Sequence, residues 1–147
     1  MLSMKAKYGL RAAIYMAKNP DVYLQARTIA ENADVPLKFL EAILLELRQK
    51  KLVETRRGVQ GGYKLTKTAD DITAGQIIRV LDGMLAPIKC ASQFKYEPCE
   101  DCRDPATCDI RHMMTEVRTQ IAGILDQRRL SDFVSADEKE GASHVAV

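Results

Sequence analysis

Four cysteines, Cys90, Cys99, Cys102 and Cys108, fall within nineteen residues, with eight, two and five residues between them. Thiolates are soft ligands that suit iron–sulfur clusters and zinc, and a pliant segment can wrap four of them around one centre. The Cys99-x-x-Cys102 pair with two further cysteines close by is therefore a metal-binding pattern. Spacing does not select the metal, so a 2Fe-2S cluster, a 4Fe-4S cluster and zinc all remain open. A redox disulfide between Cys99 and Cys102 is a third use, although no βαβ pattern of the thioredoxin type surrounds the pair. His112, four residues after Cys108, is within reach as a further ligand, and a surface histidine on a helix is its plainer reading.

The second group with chemistry to offer is basic. Residues 1–67 carry 13 Lys+Arg against 6 Asp+Glu, a balance of +7, and residues 68–147 carry 9 against 14, a balance of −5. The net charge of +2 thus conceals a basic half joined to an acidic one, an asymmetry that suits an anionic partner for the first half. There, Arg56 and Arg57 lead into Gly58-Val59-Gln60-Gly61-Gly62. Glycine backbone can take φ > 0 and come close to a phosphate chain, and an arginine at such a tip can enter a narrow minor groove, where the negative potential is deepest. A solvated hairpin end is the plain alternative.

Regular elements must position both groups. Leu10, Ala13, Ile14 and Ala17 follow helical spacing within Met4 to Lys18, and Asn19-Pro20-Asp21 ends that helix. Ala26, Ile29, Ala30 and Ala33 predict a shorter helix, after which Pro36 fits the first turn of a third, lined by Leu37, Leu40, Leu44 and Leu47. Two helices broken by a tight turn have the spacing of a helix-turn-helix. Leu52 to Arg56 and Tyr63 to Leu65 alternate like strands around the glycine-rich run, which makes a β-hairpin and completes a winged helix. Thr73 with Gln76 forms a capping box for a fourth helix bearing Ile77, Ile78 and Leu81 and stopped by Gly83.

From Met84 to Cys108 there is little periodicity, and Pro87, Pro98 and Pro105 oppose regular structure. A loop of that length in a compact domain is usually functional or disordered. Ile110, Met114, Val117, Ile121 and Ile124 then repeat at intervals of four and three, the heptad spacing that packs one helix along another, so a long helix ending near Arg128 is expected to meet a partner subunit's helix. Leu130-Ser131-Asp132-Phe133 is placed as an apolar anchor, and Ser135 to Val147, without pattern, as a fraying tail. The expected organisation is a DNA-binding region at 1–67, a linker helix, cysteine loop and dimerisation helix at 68–134, and a flexible tail at 135–147. The fold class is mainly α (α+β).

With 147 residues, 46% of them hydrophobic, the chain can fill a core without disulfides. Charged residues make up 29%, and no uninterrupted run of 18 apolar side chains is present to span a bilayer. The opening MLSMKAKYGLR lacks the apolar stretch of a signal peptide. These features lead to an expected cytoplasmic location without membrane association, where thiols stay reduced. An enzyme is not expected. No nucleophile pairs with a base, no phosphate-binding loop precedes a helix, and no paired carboxylates suggest a pocket.

The segments Lys7-Tyr8-Gly9-Leu10-Arg11, Phe39-Leu40-Glu41, Leu47-Arg48, Leu52-Val53, Arg57-Gly58 and Gly61-Gly62-Tyr63, taken with the cysteine loop, resemble the Rrf2 group of winged-helix regulators from about Leu2 to Phe133. That group includes an iron–sulfur cluster assembly repressor, a nitric-oxide-sensing repressor and a rhizobial iron regulator. The resemblance implies a homodimeric repressor on a pseudo-palindromic operator in double-stranded DNA, with long C-terminal helices crossed at the interface. It places Leu37, Lys38 and Phe39 near the major groove and Glu41 where a carboxylate can accept from cytosine N4. Lys5, Lys7 and the backbone of Gly61 and Gly62 fall where phosphates are held, and Arg56, Arg57 and Gln60 belong to the wing that meets DNA.

For the cluster, the resemblance implies three cysteine ligands and a fourth borrowed from elsewhere. This chain departs from it, because it has four cysteines and because Lys7 stands where the nitric-oxide sensor's borrowed aspartate would lie. Cys90 and Cys108 match outer ligands, and Cys99 or Cys102 the middle one. Cluster state would then set operator affinity in response to iron, nitric oxide or redox conditions. Two alternatives stand beside this expectation: the same regulator with structural zinc or redox-active thiols, and, from a different class, a metal–thiolate electron carrier or cluster scaffold.

Overall fold

A computed structural model describes residues 2–140, the last five by backbone alone. Helix α1 (Met4–Lys18) starts at Ser3, whose Oγ accepts from Ala6 N at 3.0 Å. Asp82 accepts from both Ser3 N (3.1 Å) and Ser3 Oγ, which ties this end of α1 to the end of α4 (Ala74–Asp82). Helix α2 (Ala26–Ala33) ends at Asp34, which takes a left-handed conformation at φ 54°, and α3 (Leu37–Gln49) begins after Pro36. Arg11 Nη1 donates to Asp34 O at 3.1 Å and so holds the turn between the two helices against α1.

Strands β1 (Val53–Arg56) and β2 (Gly62–Leu65) pair antiparallel from Val53 with Leu65 to Arg56 with Gly62. The hairpin is also stitched to the chain ahead of α2: Tyr63 N donates to Leu24 O at 2.7 Å and Leu24 N to Tyr63 O at 2.9 Å. Gly62 makes this close approach possible. Its φ is +142°, and a Cβ there would lie 2.3 Å from Leu24 O.

Helix α1 is the hub, packing on α2, α3, α4 and on α6 (Leu130–Glu140). Its contact with α4 is tight because Gly9 has no side chain, and a Cβ there would sit 2.1 Å from Leu81 Cδ1. Ile29, Leu40, Ile43, Leu44, Leu47, Val53, Ile72, Ile77 and Leu130 are the large side chains fully inside. The expected capping box is present at α4: Thr73 N donates to Gln76 Oε1 at 2.9 Å and Gln76 N to Thr73 Oγ1 at 3.2 Å. Gly83, at φ 85°, ends the helix.

Beyond α4, residues 84–108 have no regular structure other than one-turn 3₁₀ segments at Lys89–Ala91 and Pro105–Thr107. Helix α5 (Asp109–Leu125) follows and stops three residues before the expected end at Arg128. The chain there turns back toward the core, as Ala74 N donates to Arg128 O (2.8 Å) and Leu130 N to Ile72 O (2.9 Å). A second correction concerns the tail, which is not patternless from Ser135, because α6 continues to Glu140. Leu130 and Val134, one turn apart, dock on the core, and Asp132 Oδ2 accepts from Arg129 N at 2.9 Å at the helix start. The rest of the expected tail, 141–147, lies outside the described residues.

Candidate functional site

Two surfaces carry the residues with chemistry to offer, and the first is the helix-turn-helix with its wing. On α3, Lys38 and Glu41 are exposed, and Phe39 is 54% exposed. Leu37 differs from them because it packs against the core. Phe39 stacks on Tyr8 with ring centroids 6.2 Å apart, and the two rings help line an apolar groove of about 410 Å³ between α1 and α3. Lys5 on the rim of that groove pairs with Glu46 at 2.6 Å, and Lys7 is exposed on α1.

At the wing the two arginines separate. Arg56 lies over the ring of Tyr23, 5.4 Å from its centroid, on the flank of the hairpin, whereas Arg57 is exposed beside the tip. The turn is closed by Gly61 N donating to Gly58 O at 3.0 Å, and Gly58 takes φ +107°. Gln60 is exposed, and Gly61 is buried beneath the turn. Sequence reasoning passed over Val59, which stands 93% exposed at the apex, and Gln25, whose Nε2 donates to Val59 O at 3.4 Å and steadies the tip from the start of α2. An apolar residue in the middle of a polar turn was the one signal pointing to Val59.

The second surface is the cysteine loop. Cys90 is buried in the 3₁₀ turn that packs on α5, at 5% exposure, and Cys99 is exposed. Cys99 Sγ donates to Cys90 Sγ across 3.9 Å. That hydrogen bond first, and then the charge an ionised Cys90 would carry, hold the Cys99 thiol above its ordinary range. Cys102 is half-buried, and its N–H donates to Cys99 O at 3.1 Å. Cys108 is the N-cap of α5, with its Sγ accepting from Arg111 N at 3.4 Å.

The thiols in contact are therefore Cys90 and Cys99, and not the Cys99–Cys102 pair of the redox alternative. Among the described residues no group of three or more His, Cys, Asp or Glu is gathered as a metal ion would require, and His112 lies exposed on α5. Residues 93–101 are exposed, and binding of a metal would supply the free energy that draws all four thiolates to one centre. The donor set itself fits thiolate coordination. A metal–sulfur bond of about 2.3 Å puts two thiolates on one tetrahedral centre about 3.8 Å apart, close to the Cys90–Cys99 separation. Four thiolates are also the complement of an iron–sulfur cluster.

Two arginines fasten this loop. Arg111 Nε donates to Cys90 O at 2.9 Å and its Nη1 to Pro105 O at 3.3 Å, and the guanidinium lies 5.8 Å from the ring centre of Tyr96. Arg79, on α4, pairs bidentately with Asp126 at the end of α5 (2.5 and 2.8 Å) and also lies over Phe94 of the loop at 5.8 Å. The hydrogen bonds to Asp126 hold Arg79 above its ordinary pKa.

No residue of α5 is buried. The anticipated stripe divides in two. Met114 and Ile121 are half-buried, Ile121 beside Leu2, Ile78 and Leu85, whereas Ile110 (63% exposed), Met113, Val117 and Ile124 (60%) form an outward apolar row. The spacing of that row is three, four and seven residues. Met113 thus replaces Met114 in the exposed seam, because α5 rests its other face on the loop and on α4.

Comparison with known proteins places these surfaces in context. The family described as "Rrf2: Iron-dependent Transcriptional regulator" matches residues 2–136. A protein of Rhodobacter capsulatus described as rrf2-like is 36% identical over 140 residues, covering 92% of this chain and 93% of its own. The structure of CymR, titled the global cysteine regulator of B. subtilis, superposes with a TM-score of 0.75 at 34% identity, covering 92% of this chain and 97% of that one. T. potens IscR superposes with a TM-score of 0.74 at 26% identity, covering 100% and 93%.

Proposed function

From the premise that the chain belongs to the Rrf2 family of transcriptional regulators, we propose that it is a homodimeric repressor whose cysteine loop holds an iron–sulfur cluster and adjusts operator affinity. Family membership makes it a DNA-binding transcriptional regulator and not an enzyme, and among the described residues no helix is long and apolar enough to cross a membrane. In the proposed division of labour, residues 1–67 read DNA and 68–134 hold the cluster and the partner subunit, in the cytoplasm.

Two winged helices related by a dimer axis require two half-sites, hence a pseudo-palindromic operator. Lys38, Phe39 and Glu41 approach the major groove, with Leu37 anchoring the helix. Arg57 and Gln60 enter the minor groove with Arg56 behind them, and Lys5 and Lys7 hold phosphates beside the turn that Gly61, buried with its N–H given to Gly58 O, and Gly62 shape. The outward row Ile110, Met113, Val117 and Ile124 meets its counterpart on the second copy, because so much contiguous apolar surface on one helix is unfavourable in water.

Cys90, Cys99, Cys102 and Cys108 would hold the cluster, either 2Fe-2S or 4Fe-4S. When bound, the cluster supplies a centre whose loss or oxidation can report iron, nitric oxide or redox state. The observation that carries the reading is Arg79: one guanidinium on the winged core touches both the end of the exposed helix and the cysteine loop, so rearranging the loop acts on the link between the reading heads and the dimer helix. Such coupling requires the two loop states to differ in DNA affinity. Anaerobic purification followed by assay of iron, acid-labile sulfide and visible absorption tests it. Brown protein with iron and sulfide, lost in Cys99→Ala/Cys102→Ala, is expected, and colourless protein overturns the cluster.

A second reading keeps the DNA-binding role and puts zinc or redox-active thiols in the loop. The specific observation in its favour is the Cys90–Cys99 contact, which suits a single tetrahedral ion or a dithiol, and the B. subtilis relative is described as a regulator of cysteine.

A further inference from the structure

We propose that Cys90 and Cys99 form a reversible disulfide when the loop carries no metal, so that oxidant withdraws two of the four thiolates and blocks reloading. The bond itself depends only on the loop geometry, and its regulatory consequence rests on the metal-holding role proposed above.

Three features of the loop point to this pair. The sulfurs are already in contact at 3.9 Å, so a bond of about 2.05 Å requires an approach of only about 1.9 Å. The chain between the two cysteines is already closed upon itself: Glu97 N donates to Lys89 O at 3.4 Å, Lys89 Nζ pairs with Glu97 Oε2 at 2.9 Å, and Lys95 N donates to Ser92 Oγ at 3.0 Å. Little loop-closure entropy therefore remains to be lost on forming the bond. Finally, the two sulfurs differ in access in the way a two-step oxidation needs. Cys99 is exposed to a small oxidant, and Cys90 waits beneath it, buried, with its carbonyl held by Arg111.

Hydrogen peroxide serves as the oxidant. The Cys99 sulfur attacks one peroxide oxygen as its thiol proton is released, the O–O bond breaks, and the sulfur becomes a sulfenic acid while the departing hydroxide takes up that proton as water. The Cys90 sulfur then attacks the sulfenic sulfur, the S–O bond breaks, and the departing hydroxide leaves with the Cys90 thiol proton as a second water. Two thiols and one peroxide thus give one disulfide and two waters. A dithiol reductant reverses the bond.

The test uses the full chain, freed of metal by chelation, reduced, desalted and treated with hydrogen peroxide. Cleavage after Lys89, Lys95, Glu100 and Arg103 without reduction separates all three sulfurs of this stretch. The expected product joins residues 90–95 to 96–100, lighter by two hydrogens than the separate thiols and at least tenfold more abundant than 96–100 joined to 101–103. Cys102→Ser and Cys108→Ser should each keep this product and Cys99→Ser should abolish it. Oxidised protein should take up Co(II) at least tenfold less well than the same sample after reduction. A dominant Cys99–Cys102 or intermolecular disulfide, or no disulfide at all, overturns the proposal. Iron and sulfide in freshly isolated protein judge the cluster separately, so either idea can fail without the other.

Discussion

Replacing Arg111 with alanine should unfasten Cys90 without unfolding the protein, and the size of the effect follows from the three interactions its guanidinium makes. It donates to Cys90 O at 2.9 Å and, over a longer 3.3 Å, to Pro105 O, and it covers Tyr96. At this half-buried position the first bond contributes about 1.5 kcal/mol and the longer one about 0.5 kcal/mol. The ring contact adds about 0.5 kcal/mol. Removing about 2.5 kcal/mol of local stability raises the population of loop-open states about 70-fold. Cys90 is almost fully covered, so its alkylation by iodoacetamide proceeds through those open states. In reduced, metal-free protein the labelling rate of the fragment 90–95, read by mass spectrometry, should rise about 30- to 100-fold in Arg111→Ala, given the spread of such contributions. The rate at Cys102 serves as the internal control and should change far less. Arg111→Lys, which keeps the charge but not the fork that spans two carbonyls, should fall between. Equal Cys90 labelling in wild type and Arg111→Ala, within twofold, would refute the idea that this side chain fastens the loop.

Other positions test the frame that carries the two surfaces. Gly62→Ala forces a side chain into positive φ against Leu24 O and should cost about 1–3 kcal/mol, measured by urea unfolding, while weakening DNA binding through the displaced wing. Gly9→Ala gains about 1 kcal/mol of helix propensity but must displace Leu81, an overpacking cost of about 1–3 kcal/mol, so a net loss of stability is expected. The loss should be relieved in Gly9→Ala/Leu81→Ala, and strict additivity of the two changes would contradict the contact. Arg57→Ala should weaken binding to specific and random duplexes alike by about tenfold and lower the salt slope by about 1, as fluorescence anisotropy at several salt concentrations can show.

Much of this architecture is legible in the sequence because its signals are local. The capping box at Thr73 and Gln76, the stop at Gly83, the heptad-like run after Cys108 and the glycine-rich hairpin each depend on residues within a few positions of one another. What escapes depends on contacts across the chain. Helix α6 has no apolar stripe beyond Leu130, Phe133 and Val134, and Leu130 is held by the backbone of Ile72, which no local pattern reveals. The exposed row on α5 differs from the expected one in losing Ile121 and in having Met113 for Met114, because the two methionines are equivalent in hydrophobicity and only the packing on the helix's other face decides which apolar residues turn inward. For the site, the cysteines and the wing arginines are visible by type and spacing. The pairing of Cys90 with Cys99 is not, because it results from the fold of the intervening loop and not from the short Cys99-x-x-Cys102 interval. Arg79 and Arg111 are hidden for the same reason, since their partners lie elsewhere in the chain.

Operator affinity, measured on one preparation in two states, tests most directly whether the cysteine loop governs DNA binding. A duplex selected from a random pool by the anaerobically purified protein would be titrated with that protein before and after chelation of its metal under reducing conditions. At least a tenfold difference in affinity between the two states is predicted, abolished in Cys99→Ala/Cys102→Ala. Equal affinity before and after metal removal, with iron and sulfide shown to have been present at the start, would contradict the claim.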